Sequence, residues 1–172
     1  MTKLIPHKEP TDLDLFFGFD DAGLYEVDAL MHTLGITTYF IAGGYLRDRE
    51  AGIEPKDIDV FLPGDQPLDD YEGVRYDLNT ATVIHVTGFE VNLIKLNHRH
   101  TLETVLTRMD IGICQIGRDL NGTFMVTQAY LNDVKNKTLT ILEPPRTEAD
   151  TDHISRVKAK FPDHRVIYHA NR

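Results

Sequence analysis

Apolar residues recur along this chain of 172 residues at the spacings of helices and of strands. Between residues 22 and 35 they return every three or four positions from Leu24 to Leu34, which predicts an amphipathic helix. Asp20 and Asp21 would cap the start of this helix, and Gly35 would end it. The first element that the sequence predicts is therefore a helix.

Beyond residue 35, β-branched and aromatic runs alternate with segments of helical periodicity. Runs of this kind between Gly and Pro residues predict strands, and Gly88-Phe89 predicts a hairpin turn between two of them. In chain order the predictions are a strand over 36–42, a short helix over 45–52, a strand over 56–62, a polar loop over 63–73, hairpin strands over 82–87 and 90–96, a helix over 102–109, two segments (111–117 and 123–130) around a turn at Asn121-Gly122, a turn over 133–137, a strand over 138–142 and a helix over 147–161. This order predicts an α+β fold with a mixed, antiparallel-rich sheet and flanking helices, because it lacks regular βαβ repeats.

The charge of the chain limits the class of partner. It has 18 Lys and Arg residues against 27 Asp and Glu residues, a formal net charge of −9. Proteins that hold long nucleic acids usually present a basic surface. Only the segment from Arg156 to Arg172 is basic, so the sequence predicts no extended DNA-binding surface, although this short tail could touch RNA.

The cysteine count and the hydropathy of the chain indicate the cellular compartment in which the protein works. Cys114 is the one cysteine in the sequence, which leaves no intramolecular disulfide and no cysteine-built zinc site. It lies in an apolar run and is expected to be a core residue. No apolar run reaches the roughly 18 residues that span a bilayer, and the N-terminal residues lack the apolar stretch of a secretory signal. These features predict a cytoplasmic protein without a membrane partner.

Asp57-Ile58-Asp59 is the tripeptide most suggestive of chemistry. Side chains at positions i and i+2 of a strand point the same way, so Asp57 and Asp59 would present two carboxylates on one face while Ile58 enters the core. Two neighbouring carboxylates suit a divalent cation such as magnesium, which prefers oxygen ligands. The alternative is a solvated strand surface.

A diglycine, Gly43-Gly44, ends the preceding predicted strand where a short helix begins. Backbone N–H groups at such a turn can approach an anion closely, together with the start of the helix. The alternative is a plain tight turn. Because the diglycine and the two aspartates would end adjacent strands of one strand–helix–strand unit, the sequence predicts phosphate-binding backbone beside metal-binding carboxylates.

Taken in order, these residues resemble a known family. The pattern Gly43-Gly44-Tyr45-Leu46-Arg47-Asp48, then eight residues, then Asp57-Ile58-Asp59 is similar to G-G-x-V-R-D…D-x-D in the head domain of CCA-adding enzymes and bacterial poly(A) polymerases, within the DNA polymerase beta nucleotidyltransferase superfamily. The segment Leu106–Ile113 resembles the family's L-x-R-R-D-F-T-I. A weaker likeness joins Asp133–Leu139 to the D-L-x-x-K-x-L that closes the head domain. The resemblance covers roughly residues 36–142 and implies a polymerase-beta-like nucleotidyltransferase fold.

The resemblance also implies an activity. A template-independent nucleotidyltransferase would transfer a nucleoside monophosphate from a nucleoside triphosphate, such as ATP, to a hydroxyl acceptor by a two-metal mechanism with Mg²⁺ or Mn²⁺. The implied catalytic residues and metal ligands are Asp57, Asp59 and Glu90. The implied nucleotide-binding residues are Gly43, Gly44, Arg47, Arg108 and Asp110, the last two at the ribose.

The chain departs from the family pattern at two positions of the candidate site. Asn92 stands where the third carboxylate is expected, and Glu90, two residues earlier on the same face, is the acid that would replace it. Met109 stands in place of the family's second arginine. The chain also lacks the helical neck, body and tail, so CCA addition itself is not predicted.

The end of the resemblance near residue 142 predicts the domain organisation. Residues 1–142 are expected to form a minimal nucleotidyltransferase head domain. Residues 143–172 are expected to form a short extension, a helix and a strand packed on the same domain.

Several polar residues have an alternative, structural interpretation. Arg47 could instead form an ion pair with Asp48 or Glu50. The spacing of His98 and His100 suits a metal, but without further ligands nearby it is more typical of a solvated loop.

Three functional hypotheses follow. The first is an active transferase that modifies RNA, as in RNA processing, or a protein or a small molecule, and the intact Asp57 and Asp59 favour it. The second is a degenerate nucleotide- or RNA-binding module, which Asn92 favours. The third is a protein-interaction partner of the toxin–antitoxin type.

Overall fold

The computed structural model describes residues 3–7, 22–63, 72–78 and 80–169. Within these residues a 3₁₀ turn, Gly112–Cys114, lies between the third helix and the seventh strand. In chain order the helices and strands are β1 (Ile5–Pro6), α1 (Ala22–Thr33), β2 (Phe40–Ala42), α2 (Gly44–Glu50), β3 (Ile58–Leu62), β4 (Gly73–Asp77), β5 (Ala81–Val86), β6 (Val91–Leu96), α3 (Leu102–Thr107), β7 (Ile116–Arg118), β8 (Phe124–Val126), α4 (Gln128–Asn136), β9 (Thr138–Ile141), α5 (Glu148–Lys160) and β10 (Arg165–Tyr168).

Most of the strands form one sheet. In the described part of the chain this sheet has eight strands in the order β1-β8-β7-β2-β3-β6-β5-β4. Neighbouring strands pair antiparallel, except that β3 and β6 pair in parallel. A separate pair joins β9 and β10 in parallel. The predicted α+β fold with a mixed, antiparallel-rich sheet and flanking helices is confirmed.

The two faces of the main sheet are covered to different extents. One face holds the larger core, where Val60 and Leu93 pack with apolar residues of α1, α2, α4 and α5. The other face carries a smaller cluster, in which Phe40 and Phe61 pack with Leu106 of α3. Because α3 is short, it covers only part of this second face, and polar side chains occupy the part that it leaves open.

The start of the chain follows the sequence prediction closely. Helix α1 occupies most of the predicted range, and Gly35 has a φ of +73°, the left-handed conformation that ends helices. The predicted caps, Asp20 and Asp21, lie outside the described residues. The strand expected over 36–42 is shorter, since β2 begins at Phe40.

Residues 128–136 form a helix where the sequence suggested the end of an extended segment and then a turn. The helix α4 begins because the Thr127 side chain accepts the N–H of Tyr130 at 3.2 Å. It ends at Lys137, which adopts the left-handed conformation with a φ of 50°. Thr127 is thus an N-cap, and the sequence analysis missed this helix signal.

The polar loop expected over 63–73 ends in a strand that the sequence did not predict. Residues Gly73–Asp77 form β4, whose side chains are all exposed. The alternation of buried and exposed positions that reveals a strand is therefore missing. Pairing with β5 is what makes this segment a strand.

The segment 111–117 is not the single strand expected. Ile111 makes one isolated bridge with Ile141, the 3₁₀ turn follows, and regular pairing begins only at Ile116. A Cβ on Gly112 would lie 2.6 Å from Oδ2 of Asp133, so glycine is needed where the chain passes under α4. Asp110 is therefore followed by an isolated bridge and a 3₁₀ turn, not by a regular strand.

Helix α5 and strand β10, which follow residue 142, pack on the same core. Helix α5 begins with a capping box between Thr147 and Asp150, and it buries Val157. Lys160 on α5 forms a 2.6 Å ion pair with Asp48 on α2. The division at residue 142 stays a prediction. No helix among the described residues has the length and apolar character needed to cross a membrane.

Candidate active site

The diglycine turn and the two aspartates lie at the same end of the sheet because β2 and β3 run antiparallel. Ile41 pairs with Val60, so the carboxyl end of β2 is beside the start of β3. Gly43 directly follows β2, Asp57 directly precedes β3, and Asp59 is the second residue of β3. With neighbouring strands about 4.8 Å apart, the Gly43 backbone and the carboxylates border one region.

Gly43 has a backbone conformation that strains any residue with a side chain, and Met109 leaves little room beside it. Its φ of +93° lies in the left-handed region. A Cβ there would come within 3.3 Å of Cε of Met109. Met109, which stands in place of the family's second arginine, therefore packs directly over the diglycine turn.

A row of three polar side chains crosses three adjacent strands on the partly open face. Asp59 of β3 pairs with Asn92 of β6, and Asn92 pairs with His85 of β5. The Nδ2 group of Asn92 donates to Oδ1 of Asp59 at 3.0 Å. On its other side, Oδ1 of Asn92 lies 2.8 Å from Nδ1 of His85. Asn92 thus contacts both neighbours through its two amide atoms.

Asp59 is held in an environment that disfavours its negative charge. Partial burial is the largest effect that raises the pKa of Asp59, and the nearby negative charge of Asp57 raises it further, while the hydrogen bond from Asn92 lowers it. A divalent cation between Asp57 and Asp59 would relieve this repulsion. The electrostatics of the two carboxylates therefore favour cation binding.

Glu90 lies near the two aspartates but does not complete a three-ligand cluster. It is exposed, directly before β6, and lines a cavity of about 570 Å³ together with Asp57, Asn92 and His85. Among the described residues, no group of three or more His, Cys, Asp or Glu side chains is arranged to hold a metal ion. The assignment of Glu90 as third ligand stays a prediction.

Arg47 lies inside the protein. Its Nε donates to Asp48 at 2.8 Å, its Nη1 donates to Sγ of Cys114 at 3.3 Å, and the residue is only 5% exposed. Its Nη2 is 3.4 Å from the position that a Cβ on Gly44 would take. The alternative ion pair with Asp48 is therefore present, although it is buried, and Arg47 supports the diglycine turn from behind.

Arg108 and Asp110 line a different cavity, of about 310 Å³, beside residues 143–146. Arg108 follows α3 directly and donates from Nη1 to Nε2 of His98 at 2.8 Å. Asp110 forms a 3.3 Å contact with Nε2 of His153 on α5. Two residues link these predicted ribose contacts to the diglycine turn: Met109, which lies between them in sequence, and His153, which contacts both Asp110 and Cys114.

The contact between His153 and Asp110 predicts a pH-dependent contribution to stability. The hydrogen bond to Asp110 is the main effect that raises the pKa of His153, from an ordinary 6.5 to about 9. A raised pKa in the folded state stabilises the protein fully below pH 6.5, and this contribution is lost as the pH rises through about 9. We expect His153→Gln to reduce the free energy of unfolding most below pH 6.5, with the difference from wild type vanishing near pH 10.

Urea unfolding of wild type and His153→Gln between pH 5.5 and 10 measures this difference. His32→Gln is a matched control, because His32 is exposed on the last turn of α1. A difference that stays constant or grows with pH would contradict the proposed ion pair.

The His98–His100 pair does not form a solvated loop as expected. His98 is exposed and bonded to Arg108, but His100 is buried. The ring of His100 packs edge-on against Phe40 and Phe61, with centroids 5.5 and 6.4 Å away. The expectation is therefore wrong for His100, which extends the smaller apolar cluster.

Sequence reasoning missed His85 as a residue of the site. Its position in the strand pattern, between buried Ile84 and Val86, did indicate that it faces away from the larger core. The predicted hairpin already pairs the strand of His85 with that of Asn92, but it gives no sign that β6 also lies beside β3, which joins Asn92 to Asp59.

Comparison with solved structures gives the fold class. The chain is similar to the Thermotoga maritima CCA-adding enzyme complexed with tRNA, with a TM-score of 0.64 and 19% identity over 97% of this chain and 43% of that one. It is similar to a CCA-adding enzyme in complex with ATP, with a TM-score of 0.60, 19% identity and the same two coverages, 97% and 43%. The Bacillus stearothermophilus CCA-adding enzyme in complex with CTP gives 0.55 and 16%, over 86% of this chain and 41% of that one.

These similarities show the fold of a nucleotidyltransferase head domain. The chain spans less than half the length of the structures that it resembles. Neither the scan against protein-family models nor the search of curated proteins gave a match. The resemblance drawn from residues 43–59 and 106–113 is thus confirmed at the level of fold.

Proposed function

We propose that the protein is a template-independent nucleotidyltransferase, which transfers a nucleoside monophosphate from a nucleoside triphosphate to a hydroxyl acceptor. The observation that carries this proposal is the position of Asp57 and Asp59 beside the Gly43–Gly44 turn, within a fold that matches CCA-adding enzymes over nearly the whole chain. The acceptor hydroxyl belongs to RNA, a protein or a small molecule. The likeness to an enzyme solved with tRNA makes RNA the first acceptor to test.

Asp57 and Asp59 are the residues that would hold Mg²⁺ or Mn²⁺, with Glu90 as the candidate third ligand. The donor set fits, because hard cations prefer carboxylate oxygens and the hydrogen-bond partner of Asp59 is a neutral amide. When bound, the metal supplies Lewis-acid activation of the hydroxyl and stabilises charge on the phosphates. A cation bound between the two aspartates would offset their electrostatic repulsion, which favours cation binding at this position.

The triphosphate would bind at the diglycine turn. The left-handed Gly43 and the start of α2 bring backbone to this region, and Met109 is the side chain that packs on the turn there. Arg47 lies against Gly44 on the interior side of the turn, where its hydrogen bonds to Asp48 and Cys114 fix its position. Arg108 and Asp110 stay candidates for ribose contacts, which would require Asp110 to leave His153.

A degenerate nucleotide-binding module is the second candidate, and Asn92 is the observation in its favour. The amide oxygen of Asn92 faces His85 and its NH₂ group faces Asp59. In this arrangement the position of the third carboxylate carries a neutral amide, whose oxygen is already hydrogen-bonded to His85. A protein with this site could bind a nucleotide and transfer nothing. The third hypothesis, an interaction partner of the toxin–antitoxin type, stays a prediction.

The test is a transfer assay with each α-³²P-labelled nucleoside triphosphate, Mg²⁺ or Mn²⁺, and either total cell RNA or total cell protein. We expect label in one acceptor fraction that depends on the divalent metal and is removed by EDTA. Nucleotide binding without label in any fraction would favour the degenerate module. If the protein neither binds nor transfers nucleotide, both candidates are refuted.

A further inference from the structure

The hydrogen bonds of the Asp59–Asn92–His85 row have a direction that the donor and acceptor chemistry determines. An ionised carboxylate only accepts hydrogen bonds, so Asp59 requires the NH₂ group of Asn92 to face it at 3.0 Å. The carbonyl oxygen of Asn92 then points to His85, and a carbonyl oxygen also only accepts. Nδ1 of His85, 2.8 Å away, must therefore carry a proton.

This direction fixes the tautomer of His85. In a neutral imidazole one nitrogen carries the proton and the other keeps a lone pair. Because Nδ1 donates to Asn92, Nε2 is the nitrogen with the lone pair. His85 lines the same cavity of about 570 Å³ as Asp57 and Glu90. The row thus holds a proton acceptor at the cavity beside the candidate metal ligands.

We infer that His85 is a catalytic residue that accepts the proton of the attacking hydroxyl, and this inference rests on the proposed transferase function. As the hydroxyl oxygen forms its bond to the α-phosphorus, the hydroxyl proton moves to Nε2 of His85. The bond between the α-phosphorus and its bridging oxygen to the β-phosphate breaks, and pyrophosphate leaves with the electron pair. The imidazolium then gives its proton to water.

The rest of the row stabilises this step. An imidazolium at His85 donates a stronger hydrogen bond through Nδ1 to Asn92. The polarised amide of Asn92 in turn donates a stronger hydrogen bond to the carboxylate of Asp59. A histidine oriented by a second polar group in this way is the arrangement that general-base catalysis requires. The strand pairings hold Asp59, Asn92 and His85 within about 10 Å, two strand spacings.

The surroundings of His85 also contain other titratable groups that a pH experiment must separate. Asp57 before β3, Glu90 before β6 and Tyr76 on β4 line the same cavity, and Asp59 is linked through Asn92. A pH profile of wild type alone would combine all of them. A comparison between variants isolates the contribution of His85.

The first experiment compares rates of transfer in wild type, His85→Gln and the control His32→Gln from pH 5 to 9. General-base catalysis typically contributes about 10²–10⁴-fold, so we expect His85→Gln to lose at least about 100-fold. The pH dependence of the rate should also differ from that of wild type, because the variant has no ring nitrogen to take up the proton. Binding of the α,β-methylene analogue of the transferred nucleotide should stay within about twofold, a change of only about 0.4 kcal/mol.

The second experiment reads the tautomer without catalysis. ¹⁵N NMR of the histidine rings should show His85 protonated at Nδ1 in wild type and a shift toward Nε2 protonation in Asn92→Leu, which removes the acceptor. His85 protonated at Nε2 in wild type would overturn the inference.

The outcomes separate this inference from the proposed function. If wild type transfers nucleotide and His85→Gln matches His32→Gln in rate or in pH dependence, His85 is not the proton acceptor and the transferase function stands. If wild type transfers to no acceptor, the proposed function fails and the inference fails with it.

Discussion

Replacing Asp59 with Asn should abolish most nucleotide transfer while the fold survives. Asn keeps the shape of the side chain and still accepts the hydrogen bond from Asn92, but it removes one anionic ligand beside Asp57. Charge stabilisation through a bound metal is worth several kcal/mol in such reactions, so we expect a loss of about 10²–10⁴-fold in rate. The transfer assay with labelled nucleoside triphosphate measures it.

The stability of the Asp59→Asn protein gives an independent readout. Burial and the charge of Asp57 raise the pKa of Asp59, so its ionised form is disfavoured in the fold. Without metal, the variant should therefore be equal to or more stable than wild type in urea unfolding, and it should gain less stability from added Mn²⁺. Unchanged transfer in this variant would refute the metal-dependent mechanism.

Glu90→Gln, measured in the same assays, tests the third ligand. A loss nearly as large as that of Asp59→Asn would assign Glu90 to the metal. A loss of less than about threefold, or about 0.7 kcal/mol, would remove Glu90 from the site. Glu90 is exposed, and surface substitutions usually change the free energy of unfolding by less than about 0.5 kcal/mol, so the assay reports on transfer and not on folding.

Replacing Asp133 with Ala should cause the largest loss of stability. The fully buried carboxylate of Asp133 accepts from Oγ1 of Thr138 at 2.6 Å, and from both N and Oγ1 of Thr140 at 3.0 and 2.6 Å. Alanine leaves these donors without their acceptor, and breaking a buried network of this kind costs about 3–5 kcal/mol. Urea unfolding of the purified protein measures the free energy directly.

Two further substitutions make the Asp133 result specific. Asp133→Asn keeps one oxygen and the shape, so it should cost less than Asp133→Ala. Asp152→Ala, at an exposed position of α5, should change the free energy of unfolding by less than about 0.5 kcal/mol. A cost below about 1 kcal/mol for Asp133→Ala would show that the network contributes little.

Local signals in the sequence account for much of the fold and part of the candidate site. The helical spacing from Leu24 to Leu34, the diglycine after β2 and the apolar strand after Asp57 each report a local conformation, which neighbours along the chain determine. For this reason α1, β3 and β6 were predicted at nearly their observed ranges. The exposed β4 was missed because it has no alternation of buried and exposed positions, and α4 was missed because its N-cap, Thr127, was not recognised.

The tertiary structure decided what each candidate side chain contacts. Asp59 and Asn92 are 33 positions apart and Arg47 and Cys114 are 67 apart, yet each pair shares a hydrogen bond. Periodicity assigns a residue to a face of its own strand or helix, but it carries no information on which strand lies beside it. The sequence alone therefore determined the acids and glycines available for chemistry. Strand pairing and helix packing, whose contacts join residues distant in the chain, placed Asn92 beside Asp59 and buried Arg47.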